Sequence, residues 1–209
     1  MTKTQTLIVS ILACVAFAVG IYSSLDKDES VSKNTHLYTQ PRELKEFELI
    51  DQNGERFSKS NMMGQWSVLF LGYLSCPDIC PTTMMKLSRL IPDLTQVQEN
   101  TQVLFLSVDP KRDKVDNIQQ YTNYFHESIL GLRAEHKSLY PFVRNLGLMY
   151  SIPPEEVSEG YFVDHSASVV LINPQGQIHA MFKPYVELGE IPSINPEVLL
   201  SDFKIITVE

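Results

Sequence analysis

The sequence predicts an α/β sandwich on a mixed central sheet, and three observations predict it. Two continuous apolar runs of strand length, Trp66 to Tyr73 and Gln102 to Asp109, read as buried strands. Each is followed by apolar residues at helical spacing: Met84, Leu87, Ile91 and Leu94 after the first, and Val115, Ile118, Tyr121 and Phe125 after the second. Further on, two extended segments flank the turn Asn173-Pro-Gln-Gly176, and a last helix follows. Strands alternating with helices imply parallel neighbours joined by helical crossovers, and the closing hairpin adds antiparallel partners.

The elements follow in chain order. Leu7 to Tyr22 is uncharged and mostly apolar, and Thr6 to Leu25 meets the length a membrane-spanning helix needs. Lys3 lies before it and Asp26, Asp28 and Glu29 behind it, which favours an N-terminus in the cytoplasm and a body outside. Residues 1–25 therefore read as a membrane anchor. The small-x-small pattern Ala16-Phe17-Ala18 offers a cleaved signal peptide as the alternative, against which the apolar run continues through Val19 and Ile21. A lipoprotein start at Cys14 is disfavoured by the apolar residues that follow it. Every reading exports the body, where a disulfide can persist. The expected location is a bacterial inner membrane with the C-terminal domain in the periplasm, a mitochondrial inner membrane being the weaker alternative. Residues 26–40 are polar and read as a tether. Residues 41–209 form one domain of ordinary size.

That domain opens with Phe47 to Phe57, where Asn53-Gly54 between extended runs signals a β-hairpin. After the strand at Trp66–Tyr73 a helix is expected from Thr82, with Pro81 in its first turn. Asp113 reads as the cap of the next helix. Ser138 to Leu146 reads as a third helix, and Tyr161–Val163 and Ser168–Ile172 as extended segments. Gln177 to Phe182 completes the hairpin, and Asn195-Pro196 caps and starts the last helix. The formal net charge of −8 and the lack of any Lys/Arg-rich run exclude a nucleic-acid partner.

Two of the three cysteines, Cys76 and Cys80, stand alone in the exported body, in the run Ser75-Cys76-Pro-Asp-Ile-Cys80-Pro81. They follow the first central strand at the mouth of a helix, which is the layout of a thioredoxin-like fold. A helix N-terminus stabilises an anion and lowers a cysteine pKa, which serves metal binding and thiol exchange equally. Thiolates are soft ligands for Cu(I), zinc and iron–sulfur clusters, and the same pair can cycle as a redox couple. A purely structural bridge closes so small a loop that it adds little to a domain with a full core. Of the five histidines, His165 lies where one extended run passes into another, and it is the candidate imidazole ligand. A lone histidine is more often a structural or surface residue than a ligand, so the residues alone do not assign it that role. Asp78 reads as facing solvent, Met84 and Met85 as core filling rather than thioether ligands, and Asp109 as a strand-end residue able to tune the site.

Four blocks together resemble the SCO/SenC family. They are Gly72-Tyr-Leu-Ser-Cys76-Pro-Asp-Ile-Cys80-Pro-Thr-Thr, Leu106-Ser-Val-Asp109-Pro-Lys-Arg-Asp113, Val163-Asp164-His165-Ser-Ala, and Leu171-Ile-Asn-Pro-Gln-Gly176. The resemblance covers residues 41 to 207. It implies a thioredoxin-like fold and one copper, Cu(I) or Cu(II), held by Cys76, Cys80 and His165. It also implies a role in assembling the dinuclear copper centre of cytochrome c oxidase, with the copper-bearing oxidase subunit and a copper donor protein as partners. Tyr73, Leu74-Ser75 and Lys114 depart from the usual family residues. A thiol–disulfide oxidoreductase with Cys76 and Cys80 as its redox pair is the alternative. It departs from the two-residue spacing of typical thioredoxin centres and gives His165 no necessary part. A thiol peroxidase lacks its threonine, since position 73 is Tyr.

Overall fold

The computed structural model describes residues 5, 15, 17, 30–153 and 160–208. The anchor and signal readings of residues 1–25 fall, three isolated residues apart, outside the described residues. Among the described residues no helix is long and apolar enough to cross a membrane. Val31–Glu209 forms one compact unit.

Ten strands are described: β1 (Thr35–Glu43), β2 (Glu48–Asp51), β3 (Arg56–Ser58), β4 (Trp66–Gly72), β5 (Thr101–Ser107), β6 (Ile129–Arg133), β7 (Tyr150–Ser151), β8 (Asp164–His165), β9 (Val169–Ile172) and β10 (Gln177–Phe182). The helices are α1 (Ile79–Val97), α2 (Val115–Phe125), α3 (His136–Asn145) and α4 (Pro196–Val208). Eight strands form one sheet in the order β1-β10-β9-β4-β5-β6-β2-β3, and β7 pairs with β8 apart from it. The sheet is mixed as expected: β4, β5 and β6 run parallel, and β9, β10, β1 and β2 join antiparallel.

The centre is apolar throughout because both faces of β4, β5 and β9 are covered. Val68 to Leu71, Leu104 to Leu106 and Val169 to Ile172 are fully buried. On the face shared by Trp66, Phe70, Gly72 and Phe105, three helices pack. The Trp66 ring meets Phe203 of α4 at 6.2 Å, and Phe105 meets Tyr121 of α2 at 5.3 Å. Cys80 of α1 lies against Gly72. Asn195 caps α4 as expected, its side-chain oxygen accepting from the N–H groups of Glu197 and Val198.

Several elements depart from expectation. Residues 35–40, read as tether, are the first part of edge strand β1, which pairs with β10. Its polar composition and Pro41 suit an edge, where few backbone groups need a partner, and a register shift lies between Leu37 and Arg42. Buried Asp202 ties its start to α4 by accepting from the Ser32 N–H and the Thr35 hydroxyl. Strand β6 was not expected. It needs Gly131, because a Cβ there would stand 2.2 Å from the Ile118 side chain of α2. The β2–β3 hairpin is present, but only Gly54 has a positive φ, at 83°, and Asn53 does not. The Asp51 side chain instead accepts from the N–H groups of Asn53 and Glu55, making a longer turn than the two-residue form.

Candidate metal centre

Strand β4 ends at Gly72, and the chain turns through Tyr73–Asp78 into α1. The helix starts at Ile79, three residues earlier than expected, so Cys80 is its second residue and Pro81 remains in the first turn. The first N–H groups of a helix have no partner within it, and here one of them is used by sulfur. The Cys80 N–H points at Cys76 Sγ, 3.4 Å away. Both described cysteines are free, Cys80 fully buried and Cys76 half-buried.

The imidazole arrives from a separate two-stranded pairing later in the chain. His165 lies in β8, opposite Tyr150 of β7. Its Nε2 is 3.4 Å from Cys80 Sγ. The ligand atoms of Cys76, Cys80 and His165 all lie within 4.8 Å of one another. Among the described residues this is the one group of three or more Cys, His, Asp and Glu arranged to hold a metal. The ring's other nitrogen, Nδ1, is 3.1 Å from the Ser166 carbonyl oxygen. A carbonyl accepts only, so Nδ1 carries a proton, and Nε2 is the nitrogen turned to the sulfurs. Asp164, adjacent in sequence, is exposed and does not serve this nitrogen. The rings of Phe70 and Tyr73 stand edge-on to His165, with centroids 6.1 and 5.9 Å away.

The two sulfurs are electrostatically unequal. Cys76 is lowered to about 4, first because the Cys80 thiol donates to it and then, against the cost of burial, through His165 and the N–H groups of Cys80 and Asp78. Cys80 is pushed far above the ordinary thiol range by that same hydrogen bond and by burial. The metal-free pair is therefore one thiolate and one thiol sharing a proton, and the thiolate is the more accessible atom.

Other expected site residues are placed as follows. Asp78 faces solvent. Met84 is fully buried core, whereas Met85 is 38% exposed and fills no core position. Asp113 is not a helix cap; Lys114 holds that position. Asp113 is buried and accepts from the Ser107 hydroxyl at 2.6 Å and the Leu74 N–H at 3.1 Å, bracing the start of the cysteine loop. Its carboxyl is raised to about 6, chiefly by burial, which those two hydrogen bonds offset only in part. Asp109 is fully buried and is bound by Arg112 and by the Tyr161 hydroxyl. Sequence reasoning missed Arg112 and Tyr161. The Asp109-Pro-Lys-Arg-Asp113 block was the signal available for the first.

Two thiolates and one imidazole make a soft three-donor set suited to Cu(I). A structural zinc site closes with a fourth protein ligand, and no fourth Cys, His or carboxylate joins this group among the described residues.

A family model described as SCO1/SenC matches residues 36–192. The mitochondrial protein SCO2 homolog of Mus musculus is 36% identical over 137 residues, 63% of this chain, which spans only 52% of that protein. A SCO2-like protein of Rickettsia typhi is 30% identical over 88% of this chain and 92% of its own. The crystal structure of Arabidopsis thaliana ScoI with copper bound is 28% identical, with a TM-score of 0.65, over 77% of this chain and 95% of that one.

Proposed function

The chain belongs to the SCO1/SenC family, and on that premise we propose that it carries one copper ion on Cys76, Cys80 and His165 for delivery to the dinuclear copper centre of cytochrome c oxidase. The observation that carries this reading is the convergence of the three ligand atoms within 4.8 Å, one of them 85 residues away in sequence. That a copper-bound relative shares the fold supports the choice of metal. The residues fit the cargo: Cys76 is already a thiolate, Cys80 gives up its proton as the metal enters, and the Ser166 carbonyl holds His165 in the ligating tautomer. Copper supplies no chemistry of its own in this reading; it is held, then passed on from the half-buried Cys76 side. The partners are a copper donor protein and the copper-bearing oxidase subunit. The apolar segment Leu7–Tyr22 supports tethering the body to a bacterial inner membrane, on its periplasmic face.

A second reading rests on the asymmetry of the sulfurs. An accessible thiolate beside a buried thiol is the arrangement a disulfide reductase uses. Cys76 attacks one sulfur of a partner disulfide and releases the other as a thiolate. Cys80 then attacks Cys76, leaving a Cys76–Cys80 disulfide and two thiols on the partner. An anaerobic copper titration separates the readings. His165→Ala and Cys76→Ser are expected to abolish tight copper binding in a folded protein. Full copper affinity in His165→Ala, with disulfide reductase activity intact, would favour the reductase.

A further inference from the structure

We propose that Arg112 is the residue that positions His165, by clamping the histidine-bearing segment onto the strand ends that carry the cysteine loop. The inference rests on the copper-site reading above. His165 has little regular structure of its own to hold it. It lies in a two-residue strand whose partner β7 is also two residues long, and Tyr161 to Val163 before it belong to no strand or helix.

Arg112 supplies the missing attachment. It sits in the loop after β5, and its Nη1 donates to the Tyr161 carbonyl at 2.9 Å. Its guanidinium lies over the Tyr161 ring, 3.7 Å from the centroid, and 5.5 Å from that of Tyr73. Its Nε donates to Asp109 Oδ2, while the Tyr161 hydroxyl donates to Asp109 Oδ1 at 2.8 Å. Arg112 and Tyr161 therefore share one fully buried carboxylate, and the departure of Arg112 would leave that buried charge without its counter-ion. Tyr73 joins this cluster to the ligands. It directly follows β4, the Arg112 guanidinium lies 5.5 Å from its ring centroid, and that ring meets the His165 ring edge-on. The run from Tyr161 to His165 is thus held at its start by Arg112 and at its end by β7 and the Tyr73 ring. Only a planar guanidinium can face a carboxylate along one edge, a carbonyl along another and a ring across its plane.

The test is made in the full chain with Arg112→Lys, which keeps the charge and removes the fork and the stack. Copper affinity is expected to fall by about 10- to 100-fold, as for loss of residues that orient a metal ligand. The Cu(II) spectrum should shift toward that of His165→Ala, and nothing more should be lost when the two substitutions are combined. Tyr161→Leu, which removes the stack and the hydroxyl, should reproduce the effect, and it decides the matter alone if Arg112→Lys does not fold. Wild-type affinity and spectrum in a folded variant would overturn the clamp. So would an equal affinity loss in the His165→Ala background, which would place the effect on the sulfurs instead. Tight copper binding retained by Cys76→Ser would overturn the copper site itself, and the clamp with it.

Discussion

Gly72 lies directly against Cys80: a Cβ built on Gly72 would stand 2.9 Å from Cys80 Sγ and 2.6 Å from Cε2 of Phe105. Neither neighbour is the free end of a flexible chain. Phe105 is a fully buried ring, and Cys80 is fixed in the first turn of α1. Gly72→Ala must therefore displace one of them. Overpacking of this kind costs about 1–3 kcal/mol, and displacement of the sulfur should weaken copper binding as well. Denaturant unfolding and chelator competition on the same variant check both expectations. Lower stability with unchanged copper affinity would assign the displacement to Phe105 alone.

The unequal sulfurs predict unequal reactivity in the reduced, metal-free protein. Cys76 is lowered to about 4 by the Cys80 thiol and by N–H groups at the helix start, and it is the accessible member of the pair. At mildly acid pH it should be alkylated at least about tenfold faster than Cys80, because the thiolate is the nucleophile. Cys80→Ala removes the principal donor, so the pH at which Cys76 becomes reactive should rise. Mass spectrometry of iodoacetamide-treated protein between about pH 4 and pH 9 reads both effects. Equal labelling of the two cysteines would contradict the shared-proton description.

How far the sequence led differs between the fold and the site, for physical reasons. β4, β5 and β9 were legible because central strands need apolar residues on both faces, and that leaves continuous runs such as Val68–Leu71. β1 was not, because an edge strand needs neither, and its first six residues, 35–40, read as polar tether. β6 was hidden by Gly131, demanded by a helix crossing above it. At the site, the cysteine loop could be placed from local order alone, strand then loop then helix. The approach of His165 could not, since tertiary folding brings it across 85 residues, and family resemblance supplied it. Asp113 looked like a helix cap because capping is the commonest use of an Asp before a helix. Its partners, Leu74 and Ser107, come from other strand ends and leave no sequence pattern.

Asp113 gives a pH dependence of folding whose sign follows from its burial. Its carboxyl is raised from an ordinary 3.8 to about 6 in the fold. Between those values the unfolded chain has released a proton that the folded protein still holds, so stability falls as pH rises through the window and levels off above it. The contribution is on the order of 3 kcal/mol. Asp113→Asn keeps an acceptor for Leu74 and Ser107 and cannot ionise, so it should flatten this part of the curve and make the variant relatively more stable near neutral pH. Urea midpoints of both proteins from about pH 4 to pH 7 make the measurement. Parallel curves would remove Asp113 as the source.

Copper binding should also depend on pH, with a slope that the proton shared by Cys76 and Cys80 sets. Cys76 is ionised well below neutrality, so it has no proton to lose there, whereas Cys80 holds its proton throughout the neutral range. Ligation by both sulfurs must then expel one proton per copper, since metal ligands bind deprotonated. By linkage the affinity rises about tenfold for each pH unit and falls by the same factor on acidification. Competition against a Cu(I) chelator of known pH behaviour, between about pH 6 and pH 8, measures the slope. A slope near two would mean that both sulfurs enter protonated and that the Cys80 thiol does not hold Cys76 as a thiolate. A flat profile would mean that Cys80 keeps its proton and is no ligand, which would remove the second sulfur from the site.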